Sequence, residues 1–430
     1  MSNKNLPIKI FEKRKIIDDR RIEGSGSNEL PEWAKLNEEE LTELVEEFED
    51  TLSEIENKIN KRPRDRDFIP AVIEVEMHKL ATAKSHRSEI ASLFNSNDYS
   101  NVIGYIDERN LLIKVNNSDV KKIKEKLVQK EKNKKGIASI IEMKPFEPRI
   151  NVKNVNKKEP LKITLINFDD YELNQSVSNL FETICRKNQV SFKKVNYTPD
   201  LIIYRLANVS TDAFNEIKNF DALEKITVMP TYSMTVDDLA ETKISIKIKK
   251  PVPGKTYPIV GILDTGIKDI PHLKPWLLPE KFTKIPATRI DYRHGTFVAG
   301  IIEYSDELDG QIPVGNSGCY LYDATVHPGD NDTIEEYELL QNITDAIHKK
   351  YTEIKIWNLS LGTRIESSET DFSDFGKTLD YLQESFGVLI CKSAGNCDNF
   401  LHGRPVSRIA NSADSLRSLV VGSIAHKKAK

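Results

Sequence analysis

Pro258-Ile259-Val260-Gly261-Ile262-Leu263 is an unbroken apolar run that stops at Asp264-Thr265-Gly266. A strand with one wet face alternates apolar and polar residues, so an unbroken run indicates a parallel strand covered on both faces. Parallel neighbours need crossover connections, and helices should therefore follow. The downstream sequence alternates in that way. Cys319–Val326, Ile354–Leu359, Val388–Cys391 and Leu419–Val421 read as strands. Ile334, Tyr337, Leu340, Ile343 and Ile347 have helical spacing behind a Thr333/Glu336 capping box, and Phe375–Phe386 reads as a second helix. Residues 251–430 are thus expected to form a doubly wound α/β domain around a parallel sheet, with its site at the carboxyl ends of the strands.

The region before it has another rhythm. Residues 1–30 are polar and carry Gly24-Ser25-Gly26-Ser27, which predicts a mobile arm. Leu41, Leu44, Val45, Phe48, Leu52, Ile55 and Ile59 follow at steps of three and four and predict an amphipathic helix, buried in its own core or docked on a partner. Ala71–Val75 reads as a strand and Lys79–Phe94 as a helix. Two strand–helix–strand passages come next, Leu111–Val115 to Ile137–Ile141 and Leu201–Tyr204 to Ile226–Val228, with a further strand at Ile163–Ile166 between them. Residues 31–250 are expected to be α+β modules, ferredoxin-like in arrangement and regulatory or propeptide-like in role, joined to the last domain by the linker Lys247–Pro253.

Composition narrows the function classes. A net charge of −4 over 430 residues, with 39% apolar and 30% charged residues, offers nucleic acid or an anionic membrane no global attraction. Cys185, Cys319, Cys391 and Cys397 have neither the number nor the spacing of a disulfide framework or a zinc site. No acidic cluster marks a metal site, and no cofactor is expected. The start, MSNKNLPIKIFEKRK, has no apolar signal region, and no run approaches the roughly 18 apolar residues of a spanning helix. A cytoplasmic protein is expected.

The chemistry lies at the strand ends. Asp264-Thr265-Gly266 alone also suits an aspartic protease, which would need a second such string or a dimer. Thirty residues on (294−264), His294-Gly295-Thr296-Phe297-Val298-Ala299-Gly300 opens a helix, with small residues at 295, 299 and 300 that would let it pack closely. Ser393-Ala394-Gly395-Asn396 then closes a strand.

These strings, in this order, resemble the subtilase family (peptidase S8) of serine proteases over roughly residues 257–426. The resemblance implies that Asp264 orients His294, that His294 is the general base and then the acid, and that Asn396 donates to the oxyanion. It also implies that Ser360-Leu361-Gly362 binds the backbone of an extended polypeptide substrate. The family's nucleophile lies in a Gly-Thr-Ser-x-Ala string. After Asn396 this chain offers only Ser407, Ser412, Ser415, Ser418 and Ser423, none in such a string. The expectation is a serine endopeptidase truncated before its serine and inactive as written, the alternative being a noncatalytic peptide-binding pseudoprotease. The layout is also similar to cytosolic bacterial subtilases encoded beside AAA ATPases, which makes such an ATPase an expected partner.

Overall fold

The computed structural model describes residues 31–81, 84–95, 100–106, 109–152, 159–233, 246–308, 318–330, 332–363, 365–368, 371–395 and 409–422, without the side chains of 84–88. They fall into two compact units. One runs to Val195 and includes Asp200–Val228; the other comprises Asn196–Pro199 and everything from Met229 onward.

In the N-terminal unit, helix α1 (Glu38–Asn60) starts at a capping box in which Asn37 and Glu40 exchange side-chain-to-backbone bonds of 2.9 and 2.8 Å. Leu41, Val45, Phe48, Leu52, Ile55 and Ile59 are all buried in the unit's core, so the amphipathic stripe serves packing, worth roughly 1.5–3 kcal/mol per fully buried large side chain. Strand β1 (Ala71–Met77), helix α2 (Lys84–Phe94), strands β2 (Val102–Tyr105) and β3 (Asn110–Val115), helices α3 (Asn117–Val128) and α4 (Lys130–Ala138), and strand β4 (Ile140–Pro145) follow. Their sheet has the order β2-β3-β1-β4 with antiparallel neighbours.

Past the short β5 (Arg149–Ile150), the same sequence of elements recurs: β6 (Leu161–Leu165), α5 (Tyr171–Lys187), β7 (Ser191–Val195), β8 (Ile202–Ala207), α6 (Thr211–Lys218) and β9 (Leu223–Val228). The order β5-β9-β6-β8-β7 repeats that of the first sheet, with β5 added in parallel at one edge. One expectation is corrected here. Ile137 and Ala138 end α4, and the strand begins only at Ile140, because the lysine-rich helix buries Ile137 in the core. Each of these helical crossovers joins strands with another strand between them: β1 lies between β3 and β4, and β6 between β8 and β9.

The C-terminal unit contains β10 (Thr231–Ser233), β11 (Ile259–Asp264), β12 (Phe282–Thr283), α7 (Arg293–Leu308), β13 (Tyr320–Thr325), β14 (Thr333–Glu335), α8 (Glu336–Lys350), β15 (Ile356–Leu359), α9 (Asp374–Phe386), β16 (Leu389–Ser393) and β17 (Leu419–Val421). Its six-stranded sheet, β12-β13-β11-β15-β16-β17, is parallel throughout. The glycine inside the apolar run has a packing reason: a Cβ at Gly261 would lie 2.2 Å from the Trp357 ring, which is fully buried against β11. The expected capping box at Thr333 is absent. Thr333–Glu335 pairs as a strand with Thr231–Ser233, and α8 begins at Glu336 without a side-chain cap. In the stretch expected as a linker, Lys249 pairs with Glu307 at 3.0 Å and reaches the Glu303 carbonyl, which ties it to α7.

Among the described residues, no helix is long and apolar enough to cross a membrane, and no three His, Cys, Asp or Glu side chains cluster as a metal site. Cys185, Cys319 and Cys391 are free thiols, and burial pushes the first two up to about 12, so they are unreactive at neutral pH.

Candidate active site

Strand β11 enters the sheet first. The chain then adds β13 on one side of it and β15 on the other. In an open α/β sheet this reversal opens a crevice at the carboxyl end of the strand where it occurs. The residue at that end is Asp264.

Asp264 is wholly buried, and each of its groups is used differently. Oδ1 accepts from the Thr265 amide at 2.8 Å and contacts His294 Nδ1 at 2.7 Å. Its backbone carbonyl accepts from Val326 N at 2.8 Å and His327 N at 3.3 Å, which fastens it to the end of β13. Oδ2 is buried with no partner among the described residues. Because a carboxylate oxygen accepts, Nδ1 of His294 carries the proton and Nε2 keeps a free lone pair. The histidine side chain remains 20% exposed, so solvent reaches the ring.

The loop and the helix are bolted together at the backbone. Gly266 takes φ +92°, open to glycine, and a Cβ there would lie 2.6 Å from Thr325 Oγ1. The Gly295 amide donates to Thr265 Oγ1 at 3.0 Å, and Lys268 N donates to Thr296 Oγ1 at 2.9 Å. Of the small residues in the histidine string, Gly295 is in closest contact and Ala299 is fully buried. At Gly300 the expectation fails, since a Cβ there would meet nothing within 4 Å. The approach to α7 is fixed by Arg293, which pairs with Asp291 at 2.6 Å and Asp330 at 2.7 Å. Arg293 holds the Asp291 carboxyl below the usual carboxylate range. Beside this segment, an open cleft of about 650 Å³ is lined by Lys268, Arg289, Asp291, Tyr292, Arg293 and Thr296; it flanks the start of α7 and does not include His294.

On the adjacent strands β15 and β16, the structure positions part of the remaining expected site. Ser360, Leu361 and Gly362 continue from the end of β15 outside any strand; Ser360 Oγ accepts from Asn358 Nδ2 at 2.9 Å, and Leu361 is buried. A Cβ at Gly362 would stand 3.4 Å from Gly395 Cα, so the ends of β15 and β16 approach closely. Asn396 lies outside the described residues. Ser412, Ser415 and Ser418 are turned to structural use: Ser412 is fully buried, and Ser415 bonds to Asp380 at 2.6 Å and to Ser418 at 2.7 Å.

Sequence reasoning missed two further groups at this sheet edge. His327, directly after β13, is buried, and desolvation lowers its pKa. Its Nε2 meets the Tyr232 carbonyl at 3.1 Å and its Nδ1 accepts from Gly329 N at 3.0 Å, an arrangement that fits the neutral ring. Lys392, in β16, is fully buried. The only signal for either was a polar residue at the end of an apolar strand.

No curated protein matches the chain. A solved phospho-2-dehydro-3-deoxyheptonate aldolase from Thermotoga maritima shares 12% identity over 61% of this chain and 68% of its own, at a TM-score of 0.14, which carries no argument about the fold. Residues 255–430 match the subtilase family, peptidase S8, and span the six-stranded parallel sheet together with the Asp264–His294 pair. The likeness to the subtilase family covers this stretch of the chain, less than half of its 430 residues.

Proposed function

We propose that the C-terminal unit is the Asp–His part of a serine endopeptidase acting on extended polypeptide. The observation that carries the reading is the 2.7 Å contact from a wholly buried Asp264 to a partly exposed His294 at the strand reversal. In this reading Asp264 holds the imidazole in the tautomer that leaves Nε2 free. Nε2 takes the proton from a serine hydroxyl as it attacks the peptide carbonyl, then returns it to the leaving amine. Ser360–Gly362 receives the substrate backbone, and Asn396 donates to the developing oxyanion.

The nucleophile is the missing part. The 430 residues contain no Gly-Thr-Ser-x-Ala string. Removing the serine of such a triad costs on the order of 10⁶ in kcat, so the polypeptide as written is proposed to bind extended peptide without cutting it. The second reading is a noncatalytic peptide-binding pseudoprotease. Fluorescent unfolded casein added to the 430-residue chain should bind, with a gain in anisotropy, and release no fragments. The coding sequence beyond Lys430 separates the two readings. A Gly-Thr-Ser-x-Ala string there, in a protein that cleaves casein and loses this in H294A, supports the protease. Cleavage by the 430-residue chain itself at a rate indifferent to H294A would remove the assignment of His294.

A further inference from the structure

The amine of Lys392 is buried without a carboxylate beside it among the described residues. It touches three atoms: the carbonyl oxygen of Leu361, the carbonyl oxygen of Ser393 at 2.9 Å, and the hydroxyl of Ser393 at 3.1 Å. An ammonium has three protons for three acceptors, but it must give up its hydration to sit here, and that desolvation pushes Lys392 down to about 7. The neutral amine is therefore well populated near neutral pH. It has two N–H donors and one lone pair. The two carbonyls can only accept, and they take both N–H groups. With its proton on, Nζ donates to the Ser393 hydroxyl; in the neutral form the hydroxyl is the one partner able to donate, and the lone pair is left for the Ser393 O–H.

That is the contact between a nucleophile and its base. Ser393 closes β16, at the carboxyl edge of the sheet where Asp264 closes β11, and it is half-buried where Lys392 is fully buried. Its neighbour across the strand ends is Gly362, whose Cβ position lies 3.9 Å from Ser393 Oγ and 3.8 Å from Lys392 Nζ. A side chain there would stand in van der Waals contact with the hydroxyl and the amine.

We propose that Ser393 and Lys392 form a second nucleophile–base pair, separate from Asp264–His294, that takes an acyl group from an activated ester. Ser393 Oγ bonds to the ester carbonyl carbon while its proton moves to Lys392 Nζ. The adduct collapses with cleavage of the bond to the leaving phenoxide, which departs with its electron pair and recovers the proton from Nζ. This leaves acylated Ser393 and a phenol. Water then adds to the acyl carbon, giving a proton to Nζ; the bond to Oγ breaks, Oγ takes that proton back, and the carboxylic acid is released. A single amine base gives limited help to a poor leaving group, so the class is aryl esters and similar activated donors, not peptide bonds.

The test treats the 430-residue chain with a fluorophosphonate probe, which forms an Oγ–P bond with loss of fluoride and the hydroxyl proton, and maps the adduct by mass spectrometry. One adduct on Ser393 is expected, absent in S393A and formed at least tenfold more slowly in K392M. The wild-type labelling rate should climb as pH rises through about 7, which tests the base even if K392M does not fold. An unlabelled Ser393 between pH 6 and 9, a rate that does not change with pH, or an undiminished rate in folded K392M would overturn the proposal.

Discussion

A Cβ on Gly295 would lie 2.2 Å from the carbonyl oxygen of Gly266, so the first turn of α7 rests directly on the loop that follows Asp264. G295A must push the helix off that loop and stretch the His294–Asp264 contact. Overpacking of this kind costs about 1–3 kcal/mol. Gly300, five residues on in the same helix, has nothing within 4 Å of its Cβ position. G300A should therefore stabilise by up to about 1 kcal/mol, the helix-propensity gain of alanine over glycine. Urea unfolding of both variants checks the pair; effects of the same sign would mean that the docking of α7 has been misread.

Thr265 is the other half of that junction, with its hydroxyl accepting from the Gly295 amide at 3.0 Å while wholly buried. T265V keeps the shape and removes the acceptor. Leaving a buried N–H without a partner costs about 1–3 kcal/mol. Denaturant midpoints at constant slope provide the measurement, and a loss below a few tenths would show that water replaces the hydroxyl.

Lys392 makes stability depend on pH in a definite direction. Its amine is pushed down to about 7 in the folded chain, against about 10.4 in an unfolded one. Above the higher value both states are neutral and burial costs nothing for charge. As pH falls through the interval, the unfolded state binds a proton that the folded state does not, and stability is lost until about pH 7, below which the penalty is complete. K392M removes the penalty, so its gain over wild type should be larger at pH 6 than at pH 9, by about 2–3 kcal/mol. A gain independent of pH would mean that the amine is solvated or paired in the folded protein.

One face of the sheet carries exposed apolar side chains. By the strand register, Ile356 and Leu389 stand side by side on it, with Leu419 and Val421 beyond them on β17, at 43, 38, 54 and 55% exposure. Such a patch on an edge strand favours association. L419K and V421K together should lower binding of a hydrophobic dye and slow aggregation, with a stability change within about 0.5 kcal/mol each. A loss of several kcal/mol would mean that the face is covered in solution.

The contact between Asp264 and His294 could be read from residues alone, because their strings combine strand, turn and helix signals over a few positions. Asp264 and His294 lie together as their strings imply, and Gly295 has the close contact its place in the string suggests. What was not legible depended on distant partners. Thr333 and Glu336 have the spacing of a capping box, but Thr231–Ser233, about a hundred residues earlier, draws Thr333 into a strand. Val388–Cys391 was expected to end before a charged residue; the strand instead runs through Lys392 to Ser393, since carbonyls at the strand ends satisfy the amine. The placement of β1 between β3 and β4 follows from pairing across long separations, for which local periodicity carries no mark.

The repeated strand order in the N-terminal unit bears on the timing of synthesis. The first sheet is complete in sequence at Pro145 and the second at Val228, while the six-stranded sheet begins with Ile259 and ends with Val421. A ribosome adds about 5–20 residues per second, and domains fold as they emerge. Both earlier sheets therefore have all their strands about 10–40 s before β17 can close the later one. The protease-like sheet is assembled last, on a nascent chain whose earlier half has already folded.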